Sequence, residues 1–375
     1  MKLRKNLYQL WNRLTSGSYF PRAVLEKEIP KKDGRLRKLG IPTISDRIGQ
    51  EVVKSYLEPG FEEVFHENSY GYRPCRSGHQ ALEEVRRNVR KYTWLLDMDI
   101  KNFFDEVSHE LLSKALHHIV PEKWAKMYIG RWLDAPVEKV NGNLEYRKGK
   151  GTPQGGVISP LLSNLFLHYV LDRWLELNYP EVKFVRYADD IIVHCRSKAE
   201  AENMLHSIQG RMTSCHLTLH KDKTKIVYCK QYNNKAKHEI VSFDFLGFSF
   251  QPRPSRLKNG KMFLGYDCAI SQSSMTKILE ELRSSSFQNW TLRSIEEIAA
   301  YFNPKIRGWL HYYGKFRKRH LHKIFKLFHK RLTNWLRRTY KRFKNSYIQA
   351  CNWLRRYTEV NPDLFEHWKH GFVNA

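Results

Sequence analysis

The residues of this chain best suited to chemistry are adjacent aspartates, Asp189 and Asp190, inside the run Phe184-Val185-Arg186-Tyr187-Ala188-Asp189-Asp190-Ile191-Ile192-Val193-His194-Cys195. The segments on either side are β-prone and predict a tight hairpin with the carboxylates at its tip. Two carboxylates a few ångströms apart repel one another. A divalent cation removes that penalty, and a cluster of aspartate oxygens suits Mg²⁺. An isolated Asp-Asp pair is more often a solvated turn. A second aspartate-bearing strand, Trp94-Leu95-Leu96-Asp97-Met98-Asp99-Ile100, changes that balance. On a period of two, Trp94, Leu96, Met98 and Ile100 share one face, and Leu95, Asp97 and Asp99 the other. Two such strands side by side can supply carboxylates to a pair of metals roughly 3.5–4 Å apart, the arrangement used for in-line phosphoryl transfer.

Three blocks, in order, extend this pattern: DIKNFFD at 99–105, GTPQGGVISPLLSN at 151–164 and YADD at 187–190. Together they resemble the conserved blocks of group II intron reverse transcriptase/maturases. The resemblance implies a right-hand polymerase, with mixed α/β fingers and palm followed by an all-α thumb (maturase) domain. It implies RNA-directed DNA synthesis from dNTPs, with Asp99, Asp189 and Asp190 as the catalytic residues. With the backbone of Ile100, these three would hold two Mg²⁺ ions, for which Mn²⁺ is a substitute. Intron RNA splicing is the second activity that the resemblance carries. The alternatives are a domesticated or defence-associated polymerase and a splicing cofactor that only binds RNA. Three clustered carboxylates argue against the latter, since RNA binding does not need them.

The same resemblance distributes further roles. Phe104, five residues after the metal aspartate, matches the sugar-discriminating position, where an aromatic ring fills the space of a ribose 2′-OH; core packing is the plain alternative. Gln154, in a loop of four glycines that lets backbone approach a ligand closely, matches a dNTP contact. In Ile29 to Pro42 an Asp33-Gly34 turn and five cations read as a hairpin. It is either a solvated edge or a flap laying cations on a triphosphate, and Lys31 and Arg37 match the nucleotide contacts of the first fingers block. Lys223, in the LTLHKDKTK run, matches a residue near the departing pyrophosphate, and a surface lysine is an equal reading. The SYGYRPCRSGH segment interleaves aromatics with arginines, as nucleic acid requires, and the resemblance assigns template contact to Arg73 and Arg76. A loop packed by its own tyrosines is the other reading. Asp105 reads as structural, and FLGF at 245–248 resembles the block that positions the primer end.

Elements must hold these residues in place. Leu3, Leu7, Leu10, Trp11 and Leu14 predict a short helical lead. Helices are predicted over 46–65 with a break at Pro59-Gly60, over 80–92, 109–133, 158–174 and 199–215, and a hairpin turning at Asn141-Gly142. Pro252 to Lys261 reads as a linker. The domains expected are 1–20 (helical lead), 21–250 (fingers and palm), 251–345 (thumb) and 346–375 (a basic, DNA-binding-like tail).

Charge narrows the partners. The chain has 375 residues and a formal net charge of +27, and residues 298–358 hold 17 Lys and Arg with no Asp or Glu. Such a balance points to a polyanion: an RNA template or intron RNA, and a DNA primer and target. Leu321, Phe325, Phe328, Leu332 and Trp335 predict the apolar seam of a helical bundle, with Arg337, Arg338, Lys341 and Arg342 as phosphate contacts. Arg307-Gly308-Trp309-Leu310-His311-Tyr312-Tyr313 resembles the maturase signature, which nominates Trp309, Tyr312 and Tyr313 for nucleic acid. No apolar run approaches the roughly 18 residues of a membrane span, so no membrane partner is expected. Six separated cysteines without a CxxC pair read as reduced thiols of a cytoplasmic, nucleoid-associated bacterial protein. The absence of CxxC also predicts no nuclease module of the kind some family members carry. Most members of the family it resembles carry tens of residues more before the first fingers block.

Overall fold

In the computed structural model of the chain, residues 2–30, 36–229, 238–256, 260 and 262–373 are described, with Lys2 and Arg37 described by their backbone alone. The chain divides into two units, Met1–Tyr228 and Cys229–Ala375.

The first unit opens with α1 (Lys2–Thr15), then the hairpin β1 (Val24–Pro30) and β2 (Leu36–Ile41). Helix α2 (Ile44–Val64) starts where the Thr43 hydroxyl accepts the Asp46 amide and Tyr19 donates to the Asp46 carboxylate at 2.6 Å. The helix does not break at Pro59. Leu57 and Phe61 are buried four residues apart, and Phe65 follows just beyond the helix. Burying that stripe outweighs the ~3 kcal/mol cost of an internal proline. Helix α3 (Gly78–Asn88) begins in a capping box between Ser77 and Gln80. Next come β3 (Trp94–Asp99), the single turn α4 (Phe103–Glu106), α5 (His109–Ile119) and α6 (Lys123–Asp134). The stretch expected as one helix over 109–133 is two, because Pro121 cannot donate into the ladder and Val120 before it turns extended. The short strands β4 (Val137–Glu138) and β5 (Leu144–Glu145) extend the β1 hairpin into a sheet of order β2-β1-β4-β5.

Helix α7 (Ser159–Leu167) runs into a π-helical turn (His168–Asp172) and then α8 (Arg173–Asn178). The strands β6 (Lys183–Tyr187) and β7 (Asp190–Cys195), helix α9 (Lys198–Ser214) and β8 (Lys225–Tyr228) complete the unit. Its central sheet has the order β6-β7-β3-β8. The face of β3 carrying Leu96, Met98 and Ile100 joins a large core with Phe103, Leu162, Phe166 and Ile191. That core fixes the height at which the aspartate-bearing ends of β3 and β7 emerge.

The second unit begins with a three-stranded sheet, β9 (Phe243–Phe245), β10 (Phe248–Arg256) and β11 (Met262–Ile270), in the order β11-β10-β9. Of the segment expected as a linker from Pro252, Pro252 to Arg256 is strand. Among the described residues β9 pairs only with Phe248–Phe250, so farther along β10 that edge shows no described ladder for Pro252 and Pro254 to interrupt. Helices α10 (Gln272–Ser284), α11 (Ile295–Tyr313), α12 (His322–Thr339), α13 (Tyr347–Val360) and α14 (Glu366–Lys369) follow. The predicted seam of α12 is fully buried: Leu321, Phe325, Phe328, Leu332 and Trp335 are all at 0% exposure. Residues 346–375 do not form a separate tail among the described residues. Ala350, Leu354, Phe365 and Trp368 enter the same core, because those apolar side chains lose their water only against α11 and α12. The first unit ends at Tyr228, ahead of the expected boundary at 250, since the FLGF strands pair with β10 and β11.

Candidate active site

Antiparallel register places Asp99, the last residue of β3, directly opposite Asp190, the first residue of β7. The β6–β7 turn pairs Tyr187 with Asp190 and sets Ala188 in the left-handed region at φ +56°. Asp190 thus stands opposite Asp99, with Asp189 next to it in the turn. Burial, then the charges of Asp189 and Asp99, push the Asp190 carboxyl up to about 7, against the pull of Lys223.

Lys223 forms an ion pair with Asp99. A short bridge brings it there: the His220 amide donates to the Asp99 carbonyl at 2.7 Å and the Lys101 amide to the Thr218 carbonyl at 2.9 Å. Both features, a carboxyl driven toward its protonated form and an ammonium drawn onto its neighbour, are ways of supplying positive charge to a crowded set of oxygens. That chemistry fits a hard divalent cation. In this arrangement the carboxylates are not gathered into a finished cage. Among the described residues no three His, Cys, Asp or Glu side chains stand together as metal ligands, and Asp99 has Lys223 as its partner instead.

What holds the turn is a buried charge network that the sequence reading missed. Arg186 and Asp172 are both fully buried. The Arg186 guanidinium donates to Asp172 at 2.7 and 2.5 Å, to Asn164 Oδ1 at 3.0 Å and to the Ala188 carbonyl of the turn at 3.2 Å. Asn164 also donates to the Gly71 carbonyl at 2.7 Å. Gly71 is packed so tightly against the turn that a Cβ there would lie 2.5 Å from the Ala188 nitrogen. The signal in the sequence was an arginine between apolar residues of a short strand, a place that demands a buried partner.

The other nominated residues fall in several places. Gln154 donates to both carboxylate oxygens of Asp105 at 3.3 Å, while its carbonyl accepts the Gly40 amide at 2.9 Å, joining the glycine loop to the base of the β1–β2 hairpin. Phe104 is half-buried against Phe103, and its carbonyl accepts the Thr152 amide at 2.6 Å. Lys31 and the side chain of Arg37 lie outside the described residues. Arg73 departs from the expected template contact. Its guanidinium is turned inward onto Glu62 and the carbonyls of His66 and Ser69, at 2.7–3.1 Å. Five hydrogen bonds made this way fix the loop that carries Gly71. Arg76 lies over the Tyr70 ring, and the exposed Tyr72 ring is 6.3 Å from that of Tyr187.

In the second unit, Tyr312 donates to the Leu246 carbonyl at 2.8 Å, and the rings of Tyr312 and Tyr313 each lie 5.5 Å from that of Phe248. Trp309 is half-buried against the helical core. Tyr312 and Tyr313 therefore seat the FLGF turn and Trp309 packs on the helical core, whereas nucleic-acid contact was expected of all three. Arg337, Arg338 and Lys341 line a concavity of about 550 Å³ with Asn334 and Lys344, and Arg342 lies over the Phe343 ring at 4.4 Å. No described helix is long and apolar enough to cross a membrane, and the six cysteines are free thiols.

Residues 29–250 match the family described as reverse transcriptase (RNA-dependent DNA polymerase), and the chain belongs to that family. Residues 275–356 match the group II intron maturase-specific domain. Protein YkfC of Escherichia coli K12 is 34% identical over 292 residues, covering 68% of this chain and 74% of the relative. The group II intron-encoded protein LtrA of Lactococcus lactis subsp. cremoris is 28% identical over 359 residues, covering 79% of this chain; the chain spans 54% of LtrA's length. Among solved structures, the telomerase of Candida albicans in complex with a fragment of telomeric RNA has a TM-score of 0.52 at 14% identity, over 94% of this chain and 64% of that one. At that identity the likeness is one of fold.

Proposed function

We propose that this reverse transcriptase extends a primer 3′-OH along an RNA template through Asp99, Asp189 and Asp190. The observation that carries the proposal is the register of β3 on β7, which sets Asp99 against Asp190 with Asp189 beside them. Mg²⁺ bound there would activate the 3′-OH and offset charge on the departing pyrophosphate, held by the three carboxylates with the Ile100 backbone beside them. The chain's own residues prepare this. Arg186 holds the turn, Lys223 pairs with Asp99, and the Asp190 carboxyl, pushed up to about 7 by burial and by the neighbouring carboxylates, gives up its proton when a cation arrives. In the same proposal, Phe104 screens the sugar of the incoming dNTP, Gln154 contacts it, and Lys31 and Arg37 bind its phosphates.

Splicing of intron RNA is proposed as a second activity, supported by the maturase-specific match over 275–356 and by the cations of 298–358. Two assays test the pair of readings. Asp189→Asn keeps size and hydrogen bonding but removes a ligand charge, so dNTP incorporation falls by orders of magnitude while RNA affinity in filter binding holds. If synthesis survives, the metal assignment fails. If RNA binding is lost as well, the aspartates are structural.

A further inference from the structure

The second unit contains a concavity of about 580 Å³ whose chemistry differs from that of the adjoining core. Ser249, Gln251 and Arg253 of β10 form one side, and Arg319, His320 and Lys323 around the start of α12 form another. Among the described residues no carboxylate lines it. Arg253 is the informative member. It is 8% exposed, and the hydrogen bonds described for it run to backbone, to the Asp267 and Ser249 carbonyls, both at 3.3 Å. The Asp267 carboxylate is instead engaged by Arg317 at 2.8 Å, which also holds the Pro254 carbonyl and the Ser255 hydroxyl. Burial and the Arg317 charge weaken the hold of Arg253 on its proton, against the partial pull of the Asp267 carboxylate that Arg317 engages. A cation withdrawn from water without a carboxylate of its own is unfavourable, and an anionic ligand relieves it. Helix α12 begins at the rim with no side-chain cap, so its dipole adds positive potential.

We infer that this concavity binds the backbone of an RNA strand, with Arg253, Arg319 and Lys323 on a phosphodiester and Gln251 and Gln272 on adjacent ribose hydroxyls. Guanidinium forks match phosphate oxygens. The neutral amides, each a donor and an acceptor, match the 2′-OH that separates RNA from DNA. The site lies on β10 and the first turn of α12, at the opposite end of that helix from the Arg337 cluster. It deepens the reading of the chain as an RNA-handling polymerase and rests on that reading.

The test uses the full chain. Arg319→Ala/Lys323→Ala removes two exposed charges from the concavity. Lys277→Ala/Arg283→Ala removes the same charge from exposed positions on α10, outside the 298–358 cation segment. Filter binding is measured on an RNA oligonucleotide and a DNA of the same sequence across a salt series. The concavity variant is expected to lose roughly tenfold in RNA affinity, and its log K against log[salt] slope falls by up to about 0.7, the value of one phosphate contact on a single strand. The loss on DNA is smaller, and the control variant stays near wild type. Equal losses in the two variants overturn the site, and equal losses on RNA and DNA overturn its assignment to RNA. Incorporation of dNTPs by the wild-type preparation is followed in parallel. Its failure would refute the polymerase reading while leaving the binding comparison intact.

Discussion

The Arg186–Asp172 pair gives a direct way to separate holding the catalytic turn from merely folding it. Both side chains are at 0% exposure, and Arg186 makes four hydrogen bonds, one of them to the turn carbonyl of Ala188. Arg186→Met leaves the Asp172 carboxylate buried without its cation. Breaking a buried pair in this way costs about 3–5 kcal/mol. Arg186→Met/Asp172→Leu removes both charges at similar volume, and such replacements are often neutral or stabilising, so most of the lost stability returns. Activity does not return with it. The double variant still lacks the donor to Ala188 and the bond to Asn164, which also carries Gly71, so the aspartates lose their fixed geometry. Urea unfolding and primer extension on the two single variants and the double variant form a thermodynamic cycle. A double variant with wild-type turnover would show that the network only stabilises the fold. A cost under about 1 kcal/mol for Arg186→Met would show that the buried pair is not formed.

Phe104→Ala is expected to admit ribonucleotides, read as the rNTP to dNTP ratio in primer extension; an unchanged ratio removes Phe104 from sugar selection. Gly71→Ala drives a methyl into the Ala188 backbone, costs about 1–3 kcal/mol and suppresses synthesis, whereas Gly210→Ala, with open space around it, leaves both near wild type. In the Asp190 carboxyl the folded value of about 7 lies above the ordinary 3.8. Its stabilising contribution is therefore present below pH 3.8 and lost as pH rises through 7, and Asp190→Asn flattens this dependence in metal-free thermal melts. The second unit behaves oppositely. His329 and His367 meet through their Nε2 atoms at 2.8 Å, and Trp368 donates to the His329 Nε2 at 2.9 Å. That nitrogen accepts, so it carries no proton and His367 donates to it. Burial lowers His329 to about 4 and His367 well below its usual range, so stability present above pH 6.5 is lost as pH falls through about 4. His367→Phe, measured by circular dichroism, should weaken that acid transition.

The sequence by itself determined the chemistry and the strands that bear it. Period-two patterning put Asp97 and Asp99 opposite the apolar face of β3, and the spacing of YADD between β-prone runs required a hairpin. The seam of α12 was likewise written in its 3.6-residue repeat, and the cations of the last third announced a polyanion. What only the tertiary structure decided were relations between segments far apart in the chain. That Asp99 faces Asp190 depends on the register of strands about ninety residues apart, which no local pattern encodes. Whether an arginine meets a phosphate or a buried carboxylate depends on which element packs against it. Arg73 and Arg76 are three residues apart, yet Glu62 on α2 claims the first, and the second lies over Tyr70. The helix through Pro59 and the strand through Pro252 and Pro254 show the same limit. Local propensity sets a cost of a few kcal/mol at such positions, and long-range burial or a missing neighbour strand determines whether that cost is overcome.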